Sequence, residues 1–245
     1  MIPIRDDIPS SRVPVVSIGL IAANILVFLY QLTLSERGLE LLFQEYAVVP
    51  VKYFSRGYVD GFGVLHEYTL AELLTPIFTA MFMHGGWMHI GGNMLYLWIF
   101  GDNVEDRMGH GRFLIFYLLC GVIATVAHIM FNPDSQVPSL GASGAIAGVL
   151  GAYLLLYPGA RVITLVPIFI FIQFIPIPAV IVLGIWFLQQ FVAGAASLGA
   201  QSAQTGGVAW WAHIGGFVAG MLLVHLFKQR RYWPADHEWW EHTRY

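Results

Sequence analysis

The longest interval without a charged side chain runs for 66 residues, from Val162 to Phe227. Two more charge-free intervals, 73–101 and 113–133, precede it. A soluble domain spreads charge over its surface and carries about 25% charged residues. Here charged residues make up 11% and hydrophobic residues 57%. A bilayer crossing needs about 20 apolar residues. Intervals this long and this apolar predict transmembrane helices and exclude a water-soluble core wrapped in polar side chains. The length of the chain, 245 residues, allows one helix bundle with little soluble mass.

The apolar segments divide into six predicted spans: 15–34, 87–102 with a lead-in from Thr79, 113–131, 141–157, 178–195 and 208–227. Tyr157-Pro158-Gly159 stops the fourth. Pro167, Pro176 and Pro178 interrupt the segment before the fifth, because a proline inside a helix removes a hydrogen bond and clashes with the preceding turn. That segment therefore reads as a re-entrant or surface piece. The loop 35–74 is charged and interrupted and reads as lying along the membrane surface. A flexible loop rich in Gly, Ala, Ser and Gln is predicted up to Gly207. The expected fold is an all-α, six-transmembrane-helix bundle over 15–228, with a cytoplasmic N-terminal segment 1–14 and a cytoplasmic C-terminal tail 229–245.

Basic residues set the orientation. Nine of the twelve fall on the side that holds both termini, and only Arg37, Lys52 and Arg56 on the other. The expectation is a multi-pass protein of the cell (inner) membrane with both termini cytoplasmic. The tail, with Trp233, Trp239 and Trp240 among charges, reads as interfacial or disordered. The first apolar run is too long for a signal-peptide core and lacks a clean cleavage site. A net charge of -3 argues against a nucleic-acid partner, and the single cysteine, Cys120, excludes an internal disulfide and reads as a small packed hydrophobe.

Polar groups inside such spans are costly and are functional candidates. Ser143 stands in Gly141-Ala142-Ser143-Gly144, where a polar loop becomes an apolar helix, and His213 in Ala212-His213-Ile214-Gly215. Serine is also a favoured helix cap, and a lone intramembrane histidine is as consistent with packing as with catalysis. Two stripes of small residues connect them: Gly144, Gly148 and Ala152 in one helix, and Ala212, Gly216 and Gly220 in the other. Such stripes let membrane helices touch backbone to backbone. If they face each other, the hydroxyl meets the imidazole, and serine becomes a nucleophile when an adjacent base takes its proton. His89 and Asn93 are four apart and share a helical face. With the Ser143 amide they could supply donors to a developing oxyanion, or they could make a polar interhelical contact. Zinc held by His84, His89 and His213 is disfavoured, because no acidic residue lies inside the predicted spans, Asp102 only closing the second, and no His-Glu-x-x-His helix occurs. The nucleophile elbow of soluble hydrolases is excluded, since Ala145 stands where it needs glycine.

Taken together, His84, His89 and Asn93 in the second span, Gly141-Ala142-Ser143-Gly144 at the fourth and Ala212-His213-Ile214-Gly215 in the sixth resemble the rhomboid intramembrane serine proteases of the six-helix bacterial type. The resemblance covers nearly the whole chain. It implies Ser143 as nucleophile and His213 as general base, with His89, Asn93 and the Ser143 amide as the oxyanion hole. His84 would support the loop over the site, and Gly141, Gly144 and Gly216 the close packing around it. Glu105-Asp106-Arg107-Met108-Gly109 matches the family's polar turn after the second helix. The implied activity is peptide-bond hydrolysis in single-span transmembrane substrates within the lipid bilayer, with no metal or cofactor. The fifth helix and the loop 193–207 would be the gate. Two positions depart from the pattern. Ala147 replaces an aromatic that stacks on the histidine, with Trp210 a candidate substitute, and Thr75-Pro76 stands where relatives carry a Trp-Arg pair. An inactive membrane-protein-binding scaffold is the alternative reading. A transporter is disfavoured, since neither paired repeats nor charges in the interior of the predicted spans are seen.

Overall fold

The structure, a computed structural model, describes residues 2–168, 171–199 and 209–229. In chain order the elements are β1 (Ile2–Asp6), α1 (Val15–Leu32), α2 (Glu36–Tyr46), β2 (Gly57–Val59), β3 (Leu65–Glu67), α3 (Leu70–Thr79), α4 (Trp87–Met108), α5 (His110–Phe131), α6 (Ser143–Leu156), β4 (Arg161–Ile168), β5 (Phe171–Pro178), α7 (Ala179–Gly199) and α8 (Trp210–Phe227). The six predicted spans fall on α1, α4, α5, α6, α7 and α8. Among the described residues, α1, α5, α7 and α8 are long and apolar enough to cross a membrane by themselves. The other two of the six are not: α6 has 14 residues, and α4 carries Asp102, Glu105, Asp106 and Arg107 near its end.

These two helices are sheltered by the rest of the bundle. α6 is buried without a break from Gly144 to Tyr153 and lies against α8, α5 and α4. A helix that is apolar on every side is one that packs on every side. Its contact with α8 depends on the small-residue stripes. A Cβ added to Gly216 would collide with the carbonyl oxygen of Gly144, and one added to Gly220 with that of Gly148. In lipid, where apolar surface gains nothing by leaving its surroundings, such close van der Waals contact is what holds helices together.

α4 runs six residues beyond the predicted 87–102, and its extension explains the charges. The buried Glu105 carboxylate accepts hydrogen bonds from the Val16 N–H (2.9 Å), the Ser17 N–H (2.7 Å) and the Ser17 hydroxyl (2.7 Å), and lies 2.6 Å from His110 Nδ1. The first amides of a helix have no partner within it, so Glu105 caps α1 from another helix. Asp106 accepts from the amide and hydroxyl of Ser11. Glu105–Gly109 is therefore mostly the last turn of α4, and the chain reverses at Gly109, whose φ is 80°. The reading that the spans hold no carboxylate fails for α4.

The segment read as re-entrant is a β-hairpin. β4 pairs antiparallel with β5 along eight residues, and β1 adds to the other side of β4, giving the order β1-β4-β5. Its prolines exclude helix, and its β-branched and aromatic residues suit a pleated strand. The segment 1–14 is consequently not a free tail. Asp6, at the end of β1, accepts hydrogen bonds from the Tyr153 hydroxyl of α6 and from Asn103 Nδ2 of α4 (2.8 Å). Burial pushes its carboxyl up to about 7, with Asp102 and Asp7 adding to the rise and the Tyr153 hydrogen bond opposing it. A carboxyl whose pKa is higher folded than unfolded binds more protons in the native state, so stability falls as pH rises between the two values. Thermal stability in detergent should decline from about pH 4 to pH 7 and then level off. Asp6→Asn should flatten that part of the profile; an unchanged slope would show that other groups cause it.

α7 continues to Gly199, so 193–199 is helical rather than part of a flexible loop. The remainder of that predicted loop, 200–207, lies outside the described residues, as do Trp233, Trp239 and Trp240 of the tail. The loop 35–74 holds α2, the β2–β3 hairpin and the start of α3, which opens with a capping box between Thr69 and Glu72.

Candidate active site

Ser143 is the first residue of α6. Two backbone links fix the loop before it. Val48 and Ser139 exchange amide hydrogen bonds of 3.0 and 2.7 Å, and the Gly141 N–H donates to the Ala80 carbonyl at 2.8 Å. Gly141 has a φ of 126°, a region that side chains rarely adopt, and a Cβ there would sit 2.7 Å from His89 Nε2 and 3.6 Å from Asn93 Nδ2. Glycine thus permits both the turn into α6 and the approach of α4.

Opposed to α6 across the glycine contact, α8 presents His213. Its Nε2 lies 2.8 Å from Ser143 Oγ, and its Nδ1 lies 2.7 Å from the side-chain oxygen of Gln190 on α7. An amide oxygen can only accept, so Nδ1 carries the proton and the Nε2 lone pair faces the Ser143 hydroxyl. Gln190 and His213 are both buried. The Trp186 ring packs against the imidazole with centroids 5.7 Å apart and planes 35° apart, while Trp210 stands edge-on at 6.5 Å. Trp186 is thus the nearer aromatic neighbour, and Trp210, the residue suggested by the sequence, is the more distant one.

Gln190 and Trp186 were not singled out by the sequence, although a signal existed. They are four apart in a charge-free span, hence on one helical face, and an amide inside such a span needs a partner.

His89 Nδ1 accepts from the Gly85 N–H at 3.3 Å, which leaves Nε2 as the protonated nitrogen directed at Gly141. Asn93 Nδ2 is buried and has no hydrogen-bond partner among the described residues. The Ser143 amide, at the first position of α6, lacks an intrahelical acceptor. Three N–H donors are therefore available beside the serine. They border a cavity, partly open to the surface, that Ser139, Trp186 and His213 also line. His84 makes no hydrogen bond to Ser143 or His213. Its ring stands edge-on to His89 at 5.1 Å, and Gln31 of α1 holds its backbone by two hydrogen bonds, of 2.8 and 3.0 Å. Gly144 lies against Ala124 of α5 and Ala212 of α8, where a Cβ would come within 2.7 Å of the Ala124 methyl. Among the described residues no three of His, Cys, Asp and Glu stand together as a metal set. The arrangement can pass a proton from Ser143 to His213 and place negative charge next to fixed N–H groups.

A family model described as "Rhomboid domain" matches residues 71–230. The chain belongs to the rhomboid family. It is 47% identical over 83 residues to "Rhomboid protease GluP" of Bacillus subtilis (strain 168), a stretch covering 34% of this chain and 15% of that protein. It is 32% identical over 151 residues to "Rhomboid protein 1, mitochondrial" of Saccharomyces cerevisiae, covering 60% of this chain and 40% of the relative. With "Rhomboid-like protein 11, chloroplastic" of Arabidopsis thaliana it shares 30% over 177 residues, 70% of this chain and 59% of the relative. The chain thus matches less than two thirds of each relative's length. This rhomboid has a mostly helical, multi-pass membrane fold, and the matched region contains α4, α6, α7 and α8, the helices that carry the candidate site.

Proposed function

We propose that this rhomboid protein is an intramembrane serine endopeptidase that cleaves single-span transmembrane proteins at or near their membrane-embedded helices. The observation that carries the proposal is the 2.8 Å approach of Ser143 Oγ to His213 Nε2, with the other ring nitrogen engaged by Gln190. In this reading His213 takes the Ser143 proton as the hydroxyl attacks the scissile carbonyl. The Ser143 amide, His89 Nε2–H and Asn93 Nδ2–H stabilise the oxyanion, and His213 returns the proton to the leaving amine. Water then hydrolyses the acyl-enzyme by the same route. Gln190 fixes the tautomer but, being neutral, does not stabilise the imidazolium as a carboxylate would, so slow turnover is expected. The carbonyl of an intact helix is hydrogen-bonded, so helix-breaking or small residues near the scissile bond should be favoured. A relative named as a protease supports the chemistry. We place the six-helix unit at 15–228 in a cell inner membrane, both termini cytoplasmic, on the nine-to-three distribution of basic residues.

Purified protein in liposomes with a single-span reporter tests the reading: wild type should release a defined product and be labelled at Ser143 by a serine-reactive fluorophosphonate. Intact reporter together with no labelling would favour the scaffold. Gln190→Leu should lower kcat by about 10-fold, the worth of one lost buried hydrogen bond, with little change in KM; an equal loss in Gln190→Glu, which keeps an acceptor oxygen at the same reach, would point to packing instead.

A further inference from the structure

The three-stranded sheet has two unlike faces. Its strand register puts Pro3, Thr164 and Ile175 in one row and Asp6, Val162 and Ile177 in the next. Pro3, Thr164 and Val162 are buried, so this face is turned toward the bundle. Side chains alternate along a strand, so the Val166–Gln173 pair continues this first face and the rows between form the outer one. Its rows run Arg161 beside Pro178, then Arg5–Ile163–Pro176, then Ile2–Leu165–Phe174, then Pro167 beside Ile172. Arg161 and Arg5 are exposed at the root, where Ala160 and Ala179 are joined by a backbone hydrogen bond. Beyond them the face is wholly apolar, yet Ile2 is 50%, Phe174 62% and Ile172 65% exposed. Exposed apolar surface of this kind marks an interaction face.

We infer that this outer face docks on the bilayer surface, its apolar rows in the boundary between headgroups and acyl chains and Arg5 and Arg161 on anionic headgroups. Three observations favour lipid over a protein partner. The face is continuous with a lipid-exposed one: β5 leads directly into α7, whose Val180 and Ile181 are 50% and 48% exposed on a helix apolar enough to cross a membrane. Its outward-facing basic residues, Arg5 and Arg161, have the sign that an anionic leaflet attracts; the exposed Asp7 carboxylate is engaged at the root by the Arg161 backbone N–H at 2.8 Å, and Asp6 lies on the opposite face. The free edge of β5 is also poorly suited to adding a strand. Proline cannot donate into a ladder, so the Arg161–Pro178 and Ile163–Pro176 pairs are non-hydrogen-bonded ones, and Pro176 and Pro178 face outward with Ile172 and Phe174. Only two of the four outward positions retain an N–H. Open backbone of that kind is excluded from hydrocarbon but can be satisfied among hydrated headgroups. Docking would fix the β5–α7 junction, and with it the helix that brings Trp186 and Gln190 to His213.

Single-cysteine labelling tests this independently of any protease activity. Cys120 is fully buried and can remain, with unmodified protein as the labelling control. NBD attached at Phe174→Cys, Ile172→Cys or Ile2→Cys, in liposomes containing anionic phospholipid, should emit to the blue, as should the control Leu222→Cys on the exposed side of α8. Nitroxide lipids labelled near the headgroup should quench it more than deeply labelled ones. Arg5→Gln with Arg161→Gln should abolish the difference between anionic and zwitterionic liposomes. Emission like that of the free dye in water, with no lipid quenching, would overturn the inference. Blue emission that appears only at high protein-to-lipid ratio, with energy transfer between copies, would overturn it in favour of a second copy on this face.

Discussion

Substituting Ser143 by alanine should lower reporter cleavage by about 10⁴-fold or more, below detection for an enzyme expected to be slow. The hydroxyl is the group that would form the acyl-enzyme, and among the described residues no other serine is bonded to the imidazole: Nε2 of His213 is engaged with Ser143 Oγ, and Nδ1 with Gln190. His213→Ala should cost a similar factor, because serine without its base is a weak nucleophile. The double variant should be no worse than either single one, since two groups acting as a unit do not add. Neither change should unfold the protein, as each removes a side chain without displacing backbone, and circular dichroism in detergent would check that. Undiminished cleavage by folded Ser143→Ala would falsify the proposed function. Additive losses in the double variant would show that the two residues act separately.

The second large effect is on the fold. Gly216→Val should destabilise the protein by about 3 kcal/mol and abolish cleavage as well. A Cβ at residue 216 falls on the Gly144 carbonyl oxygen, which is backbone and cannot rotate away. The two helices must then separate, and the hydrogen bond between Ser143 and His213 spans that same contact. Gly19→Ala on α1 is the matched control: a Cβ there meets nothing within 4 Å. A lowered denaturation midpoint for Gly216→Val, with Gly19→Ala near wild type, is the expected pattern. Equal midpoints for all three would mean that the stripes do not set the spacing of α6 and α8.

These two expectations differ in how far the sequence could reach. Ser143 and His213 are legible because a hydroxyl and an imidazole are conspicuous where lipid excludes polar groups, and the glycine stripes beside them imply a close approach. Trp186 and Gln190 were harder to see, because a tryptophan and an amide at the fifth span suit many interfaces, and only the packing of α7 on α8 aims them at His213. Gln31, which holds the backbone at His84, was missed for the same reason: its partner lies 53 positions away. The charges after the second span were misread as a turn. Glu105 is tolerable in a helix because it caps α1, and that partner is far off in the chain.

What the chain itself determined is its solvent. Long charge-free intervals can be satisfied only in lipid, and that requirement fixes a helical bundle with small residues where helices touch. The β-hairpin of β4 and β5 was determined negatively, since its prolines exclude helix without specifying what replaces it; the pairing of β4 with both β5 and β1 supplies the answer. Tertiary structure alone decided which donors converge beside Ser143, which nitrogen of His213 carries the proton, and how the N-terminal strand is tied to α6 and α4. Each of these depends on hydrogen bonds between residues distant in the chain, whose partners are chosen by packing and leave no periodic trace in the order of amino acids.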